Sequence, residues 1–343
     1  MPIGLRGVGK TVLLNRFAEI AEMEGLDVGF IEAPEGGGFL APLAGRLRGI
    51  LLRLDRGPVE RTVRRALGVL KSFTLTLADG SKITLDVDAL AGEGDSGDLA
   101  SDLTDVFVAA GHAARARQRG ILIAVDEVQY LNAAEFGALI TAVHRTTQLN
   151  LPVVLVGAGL PQLPGLAGQA KSYAERLFDF PEVGSLTPED AAVALQIPAN
   201  NAGIEIEPAA LTRLINEARG YPYFLQEWGY HTWNHADRSP ITAADVQRAA
   251  PHVREHLDRN FFLVRFDRLT PREKEYLRAM ADLGPGPHRS GDIALKLGVK
   301  VESVAPRRSG LIAKGMIYSP AHGETAFTVP LFDEFMRRAM PYA

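Results

Sequence analysis

The sequence predicts an α/β fold whose first half contains a buried parallel sheet and whose second half is mainly helical. Residues 121–125 and 151–156 are continuous apolar runs without the alternation of a half-exposed strand, which is typical of strands covered on both faces. A stretch with helical spacing of apolar residues separates these runs, as in right-handed strand–helix–strand units. After Leu186, helical patterns and capping signals replace the buried strands.

The bounds of the individual elements follow from periodicity and from glycine and proline. Helices are predicted at residues 11–24, 41–54, 99–117 and 133–147. Strands are predicted at residues 26–32, 121–125, 151–156 and 177–183. Period-two alternation on both sides of Asp79-Gly80 predicts a hairpin with strands at residues 73–77 and 83–87.

Composition excludes several classes of protein. With 343 residues the chain is long enough for two or three domains, and its formal charge of −4 means that any contact with nucleic acid must come from a local basic patch. The absence of cysteine excludes disulfides, thiolate metal sites and cysteine nucleophiles. No apolar run reaches the roughly 20 residues that span a bilayer, and the start lacks a signal peptide, so we predict a cytoplasmic protein without a membrane partner.

A glycine-rich loop at the start of the chain carries the clearest chemical signal. Gly4 and Gly9 bracket four residues and are followed by Lys10 and Thr11, directly before an amphipathic helix. The loop amides and the positive end of the helix dipole suit phosphate groups, the lysine can reach the β- and γ-phosphates, and the threonine hydroxyl can ligate Mg²⁺. The predicted nucleotide-binding residues of this loop are Gly4, Arg6, Gly7, Val8, Gly9, Lys10, Thr11 and Val12.

Two acidic residues follow the buried strand at residues 121–125. Asp126 is placed where a carboxylate organises Mg²⁺ together with Thr11, and Glu127 is placed to polarise an attacking water. A strand that ends in surface acids would have the same pattern, but the phosphate-binding loop upstream favours the catalytic interpretation. We therefore predict ATP or ADP and Mg²⁺ as cofactors, with Lys10 and Glu127 as catalytic residues.

With these two motifs the sequence resembles the AAA+ P-loop ATPases. The second motif reads Asp126-Glu127-Val128-Gln129, which is similar to prokaryotic ATPases of the origin-recognition-like and STAND-related branch. The resemblance implies an α/β P-loop NTPase core with a parallel sheet at residues 1–185 and an α-helical lid at residues 186–262. It also implies a C-terminal winged helix-turn-helix at residues 263–343.

Three further sites are implied by the resemblance alone. Arg176 lies where such ATPases carry an arginine finger, which implies self-association and catalysis on a neighbouring subunit's nucleotide. Residues 157–159, Gly-Ala-Gly, lie where a polar sensor residue is expected, so the backbone would have to substitute for a side chain. Pro222 matches the proline that packs on adenine in STAND proteins, although a proline that simply begins a helix would look the same.

The C-terminal segment has a helix–helix–wing pattern with basic residues on its third helix. The resemblance to a winged helix implies that this helix enters the major groove of double-stranded DNA. The predicted phosphate contacts are Lys300, Arg307, Arg308 and Lys314, with His322 at the tip of the wing. Acidic residues such as Glu302 interleave with them, so a protein-binding winged helix stays open as the alternative.

The residues before the phosphate-binding loop are too few for the buried strand that normally positions such a loop. Only three residues precede Gly4, and Pro2 lacks the N–H that a central strand donates. The resemblance implies that this strand lies between the strand at residues 151–156 and the one after Arg176. We expect the strand to be missing, through a late start or a truncation, which would leave two buried edges unpaired. The alternative is that another chain, or another segment such as the hairpin, fills the gap.

Taken together, the motifs predict an ATPase that hydrolyses ATP slowly and couples this reaction to DNA binding. The alternative is a nucleotide-gated signalling switch that contacts a protein and hydrolyses little. One further pattern is His252 and His256, which have the spacing of a metal-binding pair on a helix. Because no third ligand is evident, an exposed helix face is the simpler interpretation of this pair.

Overall fold

The computed structural model of the protein describes residues 1–55, 61–76, 87–321 and 323–341, and the chain forms two compact units. The first unit consists of Met1–Gly4 and Lys10–Glu182. The second unit consists of Leu5–Gly9 and Val183–Ala343. The glycine-rich loop is therefore divided, because Gly4 and Lys10 belong to the first unit and the five residues between them to the second.

The first unit is a parallel three-stranded sheet with helices. The strands, in the spatial order β1-β2-β3, are β1 Leu26–Glu32, β2 Gly120–Asp126 and β3 Val153–Gly157. The helices are α1 Lys10–Met23, α2 Leu40–Leu54, α3 Arg61–Thr76, α4 Leu99–Ala116, α5 Ala133–Gln148, α6 Leu163–Ala170 and α7 Ala174–Leu177. In the parallel register, Leu26 pairs with Gly120 and Ile121 pairs with Val153.

The predicted buried strands at residues 121–125 and 151–156 are confirmed as β2 and β3. Every residue of β2 after Gly120 is buried, as expected for the central strand of the three. Asp126 ends β2 at the edge of the sheet where the carboxyl ends of all three parallel strands meet. The sheet therefore delivers this acid to the place where α/β proteins bind ligands.

The first four residues occupy the place of the strand that the sequence predicted to be missing. Ile3 forms parallel bridges to Gly159 on one side and to Glu182 on the other. The Ile3 N–H donates to the carbonyl of Pro181 at 2.9 Å, and the Pro2 carbonyl accepts from Gly159 N–H at 3.2 Å. The expectation that both neighbouring edges are left unpaired here is therefore wrong, because this short segment supplies hydrogen bonds to each.

Two predicted strand regions are helical or irregular instead. The segment 73–76, predicted as the first strand of a hairpin, belongs to α3, where Phe73 is buried in the core of the unit. The alternation of apolar and polar residues there belongs to an amphipathic helix and not to a strand. The rest of the predicted hairpin, residues 77–86, lies outside the described residues. The strand predicted at residues 177–183 is reduced to the single bridge at Glu182, because α7 takes up its first residue and the rest is irregular.

The second unit begins with five helices. They are α8 Pro188–Asn201, α9 Pro208–Ala218, α10 Pro222–His235, α11 Ala243–Leu257 and, after a π-helical segment at Asp258–Leu263, α12 Val264–Phe266. Thr187 caps α8 by accepting a hydrogen bond from Asp190 N–H, and Pro188 is the first residue of the helix. The helical path runs without a break from α11 to α12, across the domain boundary predicted near residue 262.

The remaining elements form a small antiparallel sheet with four helices. They are α13 Pro271–Leu283, β4 His288–Arg289, α14 Ser290–Leu297, α15 Val301–Ala313, β5 Ile317–Tyr318, β6 Glu324–Phe327 and α16 Phe332–Ala339. The strands have the order β4-β6-β5, and both pairs are antiparallel. The aromatic rings of Phe262 and Phe335, with centroids 5.2 Å apart, join this segment to the preceding helices in one core. No helix in the described ranges combines the length and apolar character needed to cross a membrane.

Candidate phosphate-binding site

In the first unit, α1 begins with the lysine and threonine of the glycine-rich loop. The ammonium of Lys10 is buried and donates to the carbonyl of Gly4 at 3.0 Å, so the lysine side chain bends back toward the first glycine of the motif. The hydroxyl of Thr11 donates to Oδ2 of Asp126 at 2.5 Å. The structure thus brings together the three residues that the sequence placed at the phosphates and at Mg²⁺, from positions 115 residues apart.

The second acid of the motif is held in an unusual backbone conformation. Glu127 has a φ of +52°, in the left-handed region that non-glycine residues seldom adopt, and its side chain is half-buried. Its N–H donates to Oδ1 of Asp126 at 2.9 Å. Asp126 is therefore fixed through both carboxylate oxygens, and the chain turns so that the two acids leave the strand in different directions.

The glutamine of the motif connects Glu127 to the loop after β3. The amide nitrogen of Gln129 donates to the Glu127 carboxylate, and its oxygen accepts from Leu160 N–H at 3.0 Å. In the sequence, Gln129 is only the last residue of the motif that carries the resemblance. In the structure it is the side chain that fixes the orientation of the predicted water-polarising acid.

The predicted sensor position offers only backbone groups. Ala158 is fully buried, its N–H donates to Val125 O at 2.8 Å and its carbonyl accepts from Val128 N–H at 3.0 Å. A Cβ added to Gly159 would lie 2.9 Å from Oε1 of Gln129. The small residues at this position therefore make room for the glutamine amide, which takes the place beside the loop that a polar sensor side chain would need.

In the second unit, the loop Leu5–Gly9 lies against the start of α10. The carbonyl of Gly7 accepts from Tyr223 N–H at 3.2 Å. Gly7 has a φ of +85°, and a Cβ there would lie 3.2 Å from Cε1 of Tyr221 and from Cβ of Tyr223. Glycine is required at this position both for the backbone conformation and for the close approach of the two tyrosines.

Two arginines of the second unit lie close together near this loop. Arg6 and Arg265 repel each other, and burial followed by the Arg6 charge holds the pKa of Arg265 below its ordinary value. Tyr221 lies nearby, and its hydroxyl is buried without a hydrogen-bond partner among the described residues. Burial raises the pKa of this tyrosine, so the group is a neutral donor. Cations and a free donor of this kind suit an anionic ligand.

Pro222 begins α10, and Gly220 sets the turn that precedes it. Gly220 has a φ of +66°, and a Cβ there would lie 2.5 Å from the carbonyl oxygen of Leu186, so no other residue fits. The helix-starting role of Pro222 is thus established, while its contact with adenine stays a prediction. Of the other predicted binding residues, Val8 is buried in the core of the second unit and Val12 is exposed on α1.

Arg176 lies in the short helix α7 with an exposed side chain, and its N–H donates to the carbonyl of Tyr173 at 3.1 Å. An arginine finger that acts on another subunit must be exposed, but an ordinary surface arginine is exposed as well. Its role as a catalytic residue in trans stays a prediction.

The residues of the first unit fit a magnesium nucleotide. Thr11 and Asp126 supply hydroxyl and carboxylate oxygens, the ligand type that Mg²⁺ prefers, and their hydrogen bond shows that both atoms converge on one point. Lys10 supplies a buried cation next to the first residue of the loop. ATP or ADP with Mg²⁺ is therefore chemically compatible with the donor set present.

The basic residues predicted to contact DNA make mostly internal contacts. Arg308 donates to Thr325 Oγ1 at 2.8 Å and to Glu324 O at 2.9 Å, and Lys314 donates to Oε2 of Glu273 at 2.7 Å. The Arg307 guanidinium lies 3.9 Å from Oε2 of Glu275. Lys300, at the start of α15, is exposed, and His322 lies outside the described residues.

Comparison with known proteins identifies the fold. The structure is similar to the solved structure of the Walker-type ATPase PABY2304 of Pyrococcus abyssi, with a TM-score of 0.63 and 16% identity over 98% of this chain and 90% of that one. The chain has the α/β fold of a P-loop ATPase. No curated protein sequence matches it significantly.

Weaker similarities accompany this one. The RuvB Holliday junction branch migration motor of Thermotoga maritima gives a TM-score of 0.44 and 16% identity, covering 100% of this chain and 86% of that one. Cdc6p of Pyrobaculum aerophilum gives a TM-score of 0.47 and 14% identity, covering 98% and 87%. Residues 259–336 match a family model described as Domain of unknown function (DUF8462), which leaves residues 1–258 outside the match.

Three residues of this P-loop ATPase fold became candidates only in the structure. Gln129 had a signal in the sequence, its position in the second motif, but nothing there indicated a contact with Leu160. Tyr221 and Arg265 had no signal at all. They approach the loop Leu5–Gly9 through the folding of the second unit, and no local spacing encodes this contact.

Proposed function

We propose that the protein binds Mg·ATP and hydrolyses it slowly, as a P-loop ATPase of the AAA+ type. The observation that carries this proposal is the 2.5 Å hydrogen bond from Thr11 Oγ1 to Asp126 Oδ2. It joins the residue after the phosphate-loop lysine to the acid that ends a buried parallel strand, which is the pair that holds Mg²⁺ in P-loop NTPases. A helix that begins with a glycine-rich turn by accident would have no reason to make this contact.

Each residue of the first unit has a distinct task in this proposal. Lys10 holds the phosphates at the start of α1, and Thr11 and Asp126 hold the metal. When bound, Mg²⁺ neutralises charge that develops on the phosphate oxygens. Glu127 accepts a proton from the attacking water, and Gln129 fixes the direction in which this carboxylate points.

Nucleotide binding by single variants tests the proposal. We expect Lys10→Ala to lower the affinity for a fluorescent ATP analogue about tenfold or more, because a charge-assisted contact to phosphate is lost. Glu127→Gln should bind the analogue normally and release phosphate far more slowly. Lys171→Ala, at the end of α6, is the control. If wild type and Lys10→Ala bind equally well, the proposal is wrong.

Action of Arg176 on a neighbouring subunit is part of the same proposal and has its own test. Arg176→Ala keeps the nucleotide site but lacks the finger, whereas Glu127→Gln keeps the finger but lacks the acid. Mixing the two variants should restore ATP hydrolysis above the level of either alone, because mixed interfaces contain one complete site. If the mixture of the two variants is as inactive as each variant alone, Arg176 does not act as an arginine finger.

For the C-terminal segment we propose a winged helix that contacts a protein rather than DNA. The order of α13, β4, α14, α15, β5 and β6, with the turn between the last two strands as the wing, supports the winged helix. The internal contacts of Arg308 and Lys314 support a protein partner, since these side chains are occupied at the surface that would meet phosphates. Nucleotide binding would then gate a signalling contact.

Fluorescence anisotropy with duplex DNA separates the two partners. We expect no binding at low salt, where counterion release makes even non-specific contacts strong. Binding that weakens with salt and decreases in Lys300→Ala would instead support DNA as the partner. This outcome would leave the nucleotide-binding part of the proposal untouched.

A further inference from the structure

Four of the eight histidines of the chain lie on two neighbouring helices of the second unit. His231 and His235 are one turn apart on α10, and His252 and His256 are one turn apart on α11. The rings of His231 and His256 have centroids 4.9 Å apart, and those of His235 and His252 are stacked at 4.4 Å. The pair on α11 that the sequence interpreted as an exposed face therefore meets a second pair.

A carboxylate completes the cluster. Glu227 lies one turn before His231 on α10, so the two side chains share a face of the helix. Its Oε2 is 3.3 Å from Nε2 of His256 and 3.7 Å from Nε2 of His231. One ligand atom from each of these three residues lies within 4.8 Å of the others.

The Glu227–His256 distance matches that between two ligands of a transition metal, and the Glu227–His231 distance is slightly longer. Two ligands of a tetrahedral zinc ion at about 2.0–2.1 Å lie about 3.3–3.4 Å from each other. Nε2 of His231 is buried and has no hydrogen-bond partner among the described residues, although a buried imidazole nitrogen normally has one. A metal ion would satisfy this nitrogen and the carboxylate at once.

Neighbouring groups hold two of the three side chains in place. The amide nitrogen of Asn260, in the π-helical segment, lies 3.1 Å from Nδ1 of His256. The hydroxyl of Tyr223 lies close to the Glu227 carboxylate. Outer partners of this kind orient metal ligands, and π-helical segments often lie at functional sites.

We propose that Glu227, His231 and His256 bind a divalent transition metal, of which Zn²⁺ suits the ligand set best. Two imidazoles and one carboxylate form a three-ligand set that leaves a fourth position open to water or another ligand. Mg²⁺ prefers oxygen ligands and is not expected here. The metal would link α10 to α11. Its ligand Glu227 lies one turn after Tyr223, whose N–H donates to the carbonyl of Gly7.

Zinc titration of the untagged, chelator-treated full chain tests the proposal. The calorimetric titration contains excess Mg²⁺, so that the oxygen ligands of Thr11 and Asp126 are already occupied. We expect one Zn²⁺ per chain and an affinity that decreases about tenfold or more in His256→Ala and in Glu227→Gln. His112→Ala, an exposed histidine of the first unit, is the matched control and should bind as wild type does.

Two further readouts make the result independent of how well one variant folds. Zn²⁺ should raise the melting temperature of wild type and of His112→Ala but not that of His256→Ala. Co²⁺ in place of zinc should give the strong visible absorption of a tetrahedral site, and His231→Ala should lose it. Equal zinc affinity in wild type, His256→Ala and Glu227→Gln would overturn the proposal. Neither result depends on ATP binding, so this test and that of the proposed function can fail separately.

Discussion

The side-chain oxygen of Gln129 accepts a hydrogen bond from Leu160 N–H at 3.0 Å, while the amide nitrogen of the same side chain donates to Glu127. One planar amide therefore joins the candidate catalytic acid to the loop that follows β3. In this loop the residue types leave no polar side chain to face a phosphate, because Gly157, Ala158 and Gly159 precede Leu160. The glutamine thus makes the link that a polar residue of the loop could have made.

Replacing Gln129 should slow catalysis without weakening nucleotide binding. In Gln129→Leu the carboxylate of Glu127 loses the donor that orients it, and misplacement of a reacting group costs on the order of 10- to 100-fold in rate. We expect kcat for ATP hydrolysis to fall by this factor while the affinity for Mg·ATP changes less than about twofold. Gln148→Leu, on the exposed end of α5, is the control. An unchanged kcat in Gln129→Leu would show that the amide bridge does not position the acid.

The hydroxyl of Thr11 should set how much Mg²⁺ the protein needs. Thr11→Val removes the donor to Asp126 and one metal ligand, whereas Thr11→Ser keeps both. A hydrogen bond to a charged group contributes about 1.5–3 kcal/mol, which corresponds to tenfold or more in an equilibrium constant. We expect the Mg²⁺ concentration that half-saturates ATP binding to rise about tenfold in Thr11→Val and little in Thr11→Ser. Equal Mg²⁺ requirements in both variants would contradict the assignment.

The sequence predicted those parts of the fold in which local patterns and burial coincide. The continuous apolar run of β2 is typical of a buried strand, and every residue of β2 after Gly120 is buried. The strand predicted at residues 73–77 was wrong for residues 73–76, which belong to the long helix α3. Alternation over a few residues also fits one face of a helix. Local periodicity cannot distinguish the two over so short a stretch.

The parts that failed depend on contacts between distant segments. Pairing of Ile3 with both Gly159 and Glu182 lies outside any local pattern, since three residues carry no strand signal. His256 had one visible neighbour in the sequence, His252. Glu227 and His231 come close to it only because α10 packs against α11, and no local pattern in the sequence reveals this packing.

Two lysines of the C-terminal segment should differ in their effect on stability. Lys314 donates to Glu273 and to the carbonyl of Arg268, with its side chain 37% exposed, whereas Lys300 is exposed at the start of α15. A partly buried ion pair of this kind contributes roughly 1 kcal/mol. Lys314→Met should therefore lower the free energy of unfolding by about this amount, and Lys300→Met should not. Denaturant melts of the two variants check this, and equal stabilities would mean that Lys314 is free to meet a partner.

Acid should destabilise the second unit through Glu273. Burial alone would raise the pKa of this carboxyl, but hydrogen bonds from Lys314 and from Thr270 outweigh it and hold the pKa below its ordinary value. A carboxyl with a lowered pKa in the folded state stabilises the protein fully above the unfolded-state pKa, about 4.3 for glutamate, and loses this contribution as the pH falls through the folded-state value.

Glu273→Gln tests this pH dependence directly. Its amide oxygen still accepts the bond from Thr270 N–H, so the capping box of α13 survives while the titrating charge is gone. We expect the gap in melting temperature between wild type and Glu273→Gln to be largest near neutral pH and to narrow below about pH 4.3. A gap that stays constant down to pH 3 would assign the effect to the cap alone.

We expect Arg265 to bind phosphate beside the loop Leu5–Gly9. Its guanidinium is partly buried and lies near Arg6, and an anion bound beside it would offset the repulsion between the two charges. We expect Arg265→Met to lower the affinity for tripolyphosphate, a probe without adenine, about tenfold. Arg259→Met removes an arginine on the same helical path whose exposed side chain forms an ion pair with Glu255, so this variant should bind as wild type does. Arg265 also donates a hydrogen bond to the carbonyl of Phe261 and lies over the ring of this residue. If the role of Arg265 is purely structural, Arg265→Met will lower the melting temperature without changing the affinity for tripolyphosphate. Measuring both quantities in the two variants therefore separates an anion-binding arginine from one that only supports the π-helical segment.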